Sequence, residues 1–84
     1  MDLIIKIYKL TKSFPPEELY GLTSQMRRSA IGIPSNIAEG YQRSHIKEYI
    51  QFLNIANASA AELETQLIIA KNLNLLTNDT RFIF

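Results

Sequence analysis

The chain has 84 residues, which suits one small domain, and its 46% apolar content excludes a disordered chain. A chain of this length buries only about 60–65% of its unfolded surface, so its core alone gives marginal stability. With no cysteine and a single histidine, it can form neither a disulfide nor an ordinary zinc site. We therefore predict no metal and no cofactor, and we expect copies of the chain to stabilise one another.

Charge is nearly balanced, with nine basic and eight acidic residues, so no strong field draws the chain to nucleic acid or a membrane. Six of the nine basic residues nevertheless lie in residues 1–43. No apolar stretch approaches the ~20 residues that span a bilayer. The early acidic residue Asp2 and the lack of a basic leader argue against a signal peptide. We expect a cytoplasmic protein that does not contact membranes.

Apolar residues recur every three or four positions along nearly the whole chain, which predicts an all-α fold. The first helix is predicted over 2–13 and ends before Pro15. The second is predicted over 20–42, with a kink of more than 20° at Pro34 and Gly40 as its cap. Its apolar stripe consists of Leu22, Met26, Ala30, Ile33, Ile37 and Tyr41.

The third helix, predicted over 45–73 with Ser44 as its N-cap, has the most regular pattern. A seam of residues spaced four and three apart predicts packing against other helices or other copies. A second apolar stripe, which includes Phe52, lies beside this seam and continues through Ile55, Ile69 and Leu73. Thr77 is predicted to cap a fourth helix. The seam consists of Tyr49, Leu53, Ala56, Ala60, Leu63, Leu67 and Ala70.

Four segments carry a resemblance to a known protein family. They read YGLTSQMRRSA at 20–30, IPSNIAEG at 33–40, KEYIQFL at 47–53 and ELETQL at 62–67. The chain resembles the bacterial four-helix-bundle proteins that are encoded in intervening sequences of 23S ribosomal RNA genes. The similarity extends over about residues 4–76. At both ends the chain differs, because relatives usually carry a longer N-terminal segment with a tryptophan and a complete fourth helix.

The resemblance implies an up-down antiparallel helical bundle that assembles as a ring, typically a pentamer. It also implies kinship with the accessory protein of diversity-generating retroelements, which partners a reverse transcriptase and contacts nucleic acid. No enzymatic activity is implied. The motif in the second helix includes Pro34, Asn36, Glu39 and Gly40, to which we assign a structural role.

Basic residues are the candidates for contact with RNA or DNA, because guanidinium and ammonium groups bind phosphate. For the adjacent pair Arg27 and Arg28 we favour the alternative, salt bridges to Glu39 or Glu62 of a neighbouring helix or subunit. In a ring, several weak basic patches would act together. The candidates are Lys6, Lys9, Lys12, Arg27, Arg28 and Arg43.

The remaining polar residues give no sign of catalysis. Asn36 and Glu39 flank Pro34, and we expect an amide there to satisfy backbone carbonyls that the proline frees, rather than to form a binding cluster with Arg28. His45 has no visible partner, and we expect an exposed position near a helix start. No nucleophile–base pair, paired carboxylates or phosphate-binding glycine loop is present. We predict no enzyme and no small-molecule substrate.

The four tyrosines, Tyr8, Tyr20, Tyr41 and Tyr49, could stack on unpaired bases, but three of them fall on or beside apolar stripes, and we favour packing in the core or between helices with the hydroxyl at the rim. Two functions stay open. The chain is a homo-oligomeric interaction module that contacts nucleic acid or a nucleic-acid enzyme, or it is a purely structural assembly or protein-interaction module. A nuclease is the weakest alternative.

Overall fold

A computed structural model describes residues 2–76, and within this range the chain is all-α, without a β-strand. Three α-helices follow one another: α1 (Asp2–Lys12), α2 (Ser24–Tyr41) and α3 (Ile46–Asn72). The all-α fold class and the unbroken third helix are confirmed. The predicted fourth helix and its cap at Thr77 lie outside the described residues.

The segment between α1 and α2 corrects the predicted start of the second helix. After α1, Phe14 is buried, and a 3₁₀ turn follows at Pro16–Glu18. A wide helical turn then occupies Leu19–Thr23, and Gly21 within it leaves helical φ/ψ. The regular helix therefore begins at Ser24 and not at residue 20.

Helix α2 continues through Pro34 to Tyr41. The Asn36 side chain donates a hydrogen bond of 2.7 Å to the carbonyl of Gly32, as expected of an amide near the proline. We expected the amide to bond to the Ala30 carbonyl, because Pro34 has no N–H to donate to it. The amide bonds to the Gly32 carbonyl instead. Gly40 is not the cap either, since it lies inside the last turn and Gln42 follows α2 as its cap.

The two ends of α3 are formed differently. At its start the N-cap is His45, in extended conformation and without a side-chain capping bond, so the assignment of Ser44 was wrong. At its end, Asn74 takes a positive φ of 58°. The N–H of Leu75 donates to the Ala70 carbonyl and that of Asn74 to the Lys71 carbonyl, a Schellman motif with asparagine in the position that glycine usually occupies.

Helices α2 and α3 form a long hairpin, and the short α1 packs against one end of it. With 27 residues α3 is about 40 Å long, whereas the 11 residues of α1 span about 16 Å. The core cluster includes no residue of α2 beyond Ile33 and none of α3 before Leu63. The core residues are Ile7, Leu10, Phe14, Met26, Ala30, Leu63, Leu67 and Ala70, with Ile4, Leu22, Ile33, Leu75 and Leu76 beside them.

We call the part of the hairpin around this cluster the closed end. The open end comprises residues 36–41 of α2 and 46–56 of α3. At the open end the two helices touch closely through Gly40, where an added Cβ would lie 2.9 Å from Tyr49 Cδ1 and 3.1 Å from Phe52 Cβ. Only Gly40 and Ala56 are buried there. The open end is thus a two-helix structure with little core of its own.

Candidate interaction surface

The predicted basic residues do not form one patch within a single copy. Lys6, Lys9 and Lys12 are exposed along α1. Arg43 follows the far end of α2, about 22 Å along the helix from Arg28 at 1.5 Å per residue. Contact of all six basic residues with one short ligand would therefore require several copies.

Arg27 joins α1 to α2. Its Nε donates a hydrogen bond of 2.9 Å to Thr11 Oγ1, and its guanidinium lies 4.5 Å from the centre of the Tyr8 ring. The buried Thr11 hydroxyl in turn donates to the Ile7 carbonyl at 2.8 Å. These bonds hold Arg27 in place and set the position of the Tyr8 ring.

The expected salt bridges of Arg27 and Arg28 to Glu39 or Glu62 of the same chain do not form among residues 2–76. In this range the ion pair is between Arg43 and Glu39, with 3.1 Å between Nη2 and Oε2. Glu39 lies on α2 and Arg43 follows one turn later, just after the helix. Both side chains are exposed. The Arg43 guanidinium also lies 4.7 Å from the centre of the Phe52 ring, so it covers part of the open end.

A groove of about 660 Å³ runs along the outer side of α2, next to α1. Tyr8, Leu19, Tyr20 and Ile31 supply apolar surface, and Arg27 and Arg28 supply its positive charge. We call it the α1–α2 groove. Tyr20 is 92% exposed and stands on the irregular turn before α2. Sequence periodicity missed this exposure, because Tyr20 falls outside the regular helix.

Arg28 also lines a smaller, polar cavity of about 380 Å³ between α2 and α3. Asn36 belongs to the same cavity, so the structure brings together two members of the predicted polar cluster. The acid that lines it is Glu62 of α3, not Glu39. Nearby, only one end of the buried Gln66 amide is hydrogen-bonded. Its Nε2 donates to Glu62 Oε1 at 3.4 Å, and its Oε1 has no partner.

The predicted seam of α3 faces α2 and the core for most of its length. Ala56, Leu63, Leu67 and Ala70 are buried, and Tyr49, Leu53 and, beside the seam, Phe52 are partly buried. Ala60 is exposed although it follows the same spacing, so the heptad pattern alone does not determine burial. The second stripe remains largely exposed, including Ile55, Ile69 and Leu73.

Among the tyrosines, Tyr49 is partly buried and packs against Gly40 of α2, whereas the other three are exposed in a single copy. Tyr20 and Tyr41 are mostly exposed, and Tyr8 lies at the groove. The rings of Tyr41 and Tyr49 approach to 5.5 Å at the open end. Hydrogen bonding with the Tyr41 side chain, aided by partial desolvation, raises the pKa of Tyr49 above its ordinary value of 10.0.

Other kinds of site receive no support within residues 2–76. No three residues among histidines and carboxylates are grouped closely enough to hold a metal ion there. No helix in that range is long and apolar enough to cross a membrane. His45 is exposed beside Tyr41, Ser44 and Tyr49, without an orienting carboxylate in the cavity that they line.

Two comparisons with known proteins bear on identity. The sequence model of the family described as 23S rRNA-intervening sequence protein matches residues 1–82, almost the whole chain. A search of curated proteins found no match.

Proposed function

Because the chain belongs to the 23S rRNA-intervening sequence protein family, we propose that it is a non-enzymatic, cytoplasmic helical-bundle module whose function depends on association with further copies of itself. The observation that carries this proposal is the apolar surface left exposed along α3. By resemblance to the family, the assembly is a ring of five.

Helix α3 is apolar on both sides of its buried seam. Ile50 and Ile68 are exposed on one flank, and Ile55, Ile69 and Leu73 are exposed on the other. An apolar surface of this length on a soluble protein usually marks an interface.

The core of a single copy is small in comparison. Ile7 and Met26 are its only large side chains buried completely among the described residues. The apolar side chains on the flanks of α3 are already about half buried, so covering one of them completely contributes roughly half of the about 1.5–3 kcal/mol of full burial. Association of copies through α3 would therefore add stability comparable to that of a few core residues.

The proposal is tested by replacing one exposed isoleucine. Ile68→Asp places a carboxylate on the apolar flank and should dissociate the assembly, because a buried charge without a partner is costly. Ile68→Leu keeps the position apolar and should preserve assembly, so it serves as the matched control. Sedimentation velocity at micromolar concentration reads the result. A wild-type protein that sediments as a folded monomer refutes the proposal.

A second candidate function, contact with single-stranded nucleic acid, has one specific observation in its favour. Tyr20 and Arg28 line the same groove, and Lys12 is exposed on α1 four residues after Tyr8, which also lines it. Aromatic rings and cations together are typical of surfaces that bind unpaired bases and phosphates. Binding of a labelled single-stranded RNA should then weaken steeply as salt increases, because phosphate contacts release counterions. Binding that is weak and independent of salt, or no binding, refutes this candidate.

A further inference from the structure

The α1–α2 groove has the composition of a protein-binding surface. Leu19, Tyr20 and Ile31 are apolar side chains with substantial exposure, and Arg28 stands beside them. Tyrosine and arginine are the residue types that most often supply binding energy at protein interfaces. Single exposed apolar residues are common on protein surfaces, but here three of them line one concave surface.

One wall of the groove is already fixed before a partner binds. Arg27 is held by Thr11 Oγ1 and by the Tyr8 ring, so neither Arg27 nor Tyr8 needs to be ordered on binding. Preorganised side chains reduce the entropy cost of association. Arg28 differs from Arg27, because it is exposed and forms no salt bridge within residues 2–76. It is the arginine suited to contact a partner.

The partner should present an apolar side chain and a carboxylate one turn apart. The chain itself carries such a surface on α3, where Glu64 and Ile68 are exposed and separated by four residues. Residues at this spacing share one face of a helix. Ala61 precedes them on the same face, and its small side chain lets another helix come close.

The charge pattern extends along the same face. Lys71 lies seven residues after Glu64, about 10 Å further along α3. The groove has charges of opposite sign at two places. Glu17 and Glu18 come just before Tyr20 and place negative charge at that part of the groove, whereas Arg28 places positive charge on α2. A helix seated with Glu64 at Arg28 and Lys71 toward Glu17 would meet opposite charges at both points.

We infer that the α1–α2 groove receives the α3 face of a second copy, with Glu64 against Arg28 and Ile68 against the apolar groove surface. This inference rests on the proposed self-association and specifies which surfaces meet. The two surfaces are different, so the contact is heterologous. Repetition of a heterologous contact closes into a ring when the rotation between neighbours permits it.

Charge reversal at each surface tests the inference. Arg28→Glu and Glu64→Arg should each raise the dissociation constant of the assembly roughly tenfold or more, because like charges then face each other across the contact. Mixing the two variants in equal amounts should restore assembly, since each groove then meets a matching α3 face. Lys9→Glu, an equal charge change at an exposed position that does not line the groove, should leave assembly unchanged. Sedimentation equilibrium gives the constants, and circular dichroism confirms that each variant is folded.

The possible outcomes separate this inference from the proposed function. If the wild type assembles and Arg28→Glu and Glu64→Arg behave like Lys9→Glu, the inference is overturned while self-association stands. If the wild type is a folded monomer, both fall. If Arg28→Glu loses affinity for single-stranded RNA yet assembles normally, the groove is a nucleic-acid site and the inference is also overturned. Tyr20→Ser provides a second check, because removal of this 92% exposed ring should weaken assembly without affecting the fold.

Discussion

The two ends of the α2–α3 hairpin differ in the number of helices that meet there. At the closed end, α1 adds Ile7, Leu10 and Phe14 to the buried faces of α2 and α3. At the open end, two helices touch through Gly40 and Ala56, and large side chains such as Ile46 and Tyr41 remain exposed. Similar apolar patterns in sequence therefore lead to different burial, because burial depends on whether a third helix reaches the site.

The largest expected difference between the ends is in the cost of shortening an isoleucine. Ile7→Ala at the closed end should lower the free energy of unfolding by about 2–5 kcal/mol, because it leaves a cavity in the core. Ile46→Ala, at a position 72% exposed, should change it by less than about 0.5 kcal/mol. Urea unfolding of both variants under monomeric conditions measures the difference. Equal costs would mean that the open end has a core of its own.

Two glycines of α2 test how closely the helices pack. Gly40→Ala should destabilise by about 1–3 kcal/mol, because the new Cβ would press on the ring and Cβ of Tyr49 and Phe52. Gly32→Ala is the matched control, since its nearest contact is the Ser59 hydroxyl at 3.0 Å, which can rotate away. Thermal unfolding should rank Gly40→Ala below Gly32→Ala. The opposite ranking would show that the open end separates readily.

The bond between Arg27 and Thr11 should matter for holding α1 at the closed end. Thr11→Val keeps the shape of the side chain but leaves the partly buried Arg27 Nε without its hydroxyl acceptor, at a cost of about 1–3 kcal/mol. Thr11→Ser retains the hydroxyl and should lose less. Chemical denaturation of the pair measures this. Indistinguishable stabilities would show that the hydrogen bond does not hold α1 in place.

The smallest effect is expected at the exposed ion pair near the open end. Glu39→Gln should cost less than about 1 kcal/mol, because the Glu39 and Arg43 side chains are largely solvated. The small loss should also shrink as salt is added. A loss of several kcal/mol in unfolding experiments on the dilute, monomeric protein would contradict a solvated ion pair.

The sequence predicted local structure better than it predicted contacts between helices. The spacing of Leu63, Leu67 and Ala70 correctly indicated a buried face of α3. The bond between Thr11 and Arg27 could not be found this way, because the two residues are distant in sequence and their contact depends on how α1 docks. Ser44 and His45 show a different limit, since adjacent polar residues can both precede a helix and local propensity does not decide between them.

The family resemblance indicated the bundle but not the distribution of burial within it. Tyr20 and Tyr41 occur in or beside the recognised motif, yet both are largely exposed in a single copy. Ala60 follows the heptad spacing and is exposed as well. The pattern of one chain gives the spacing of such residues but not which neighbour would cover them.

Hydrogen–deuterium exchange as a function of protein concentration tests the central claim most directly. We expect amides of α3 in residues 46–56 to exchange rapidly in dilute protein and to become protected as concentration rises, because association through the exposed flanks of α3 would also cover Ile50 and Ile55 at the open end. Amides in residues 63–70, at the closed end, should be protected throughout. If the exchange rate of residues 46–56 does not depend on protein concentration, the claim that copies of the chain cover the open end is contradicted.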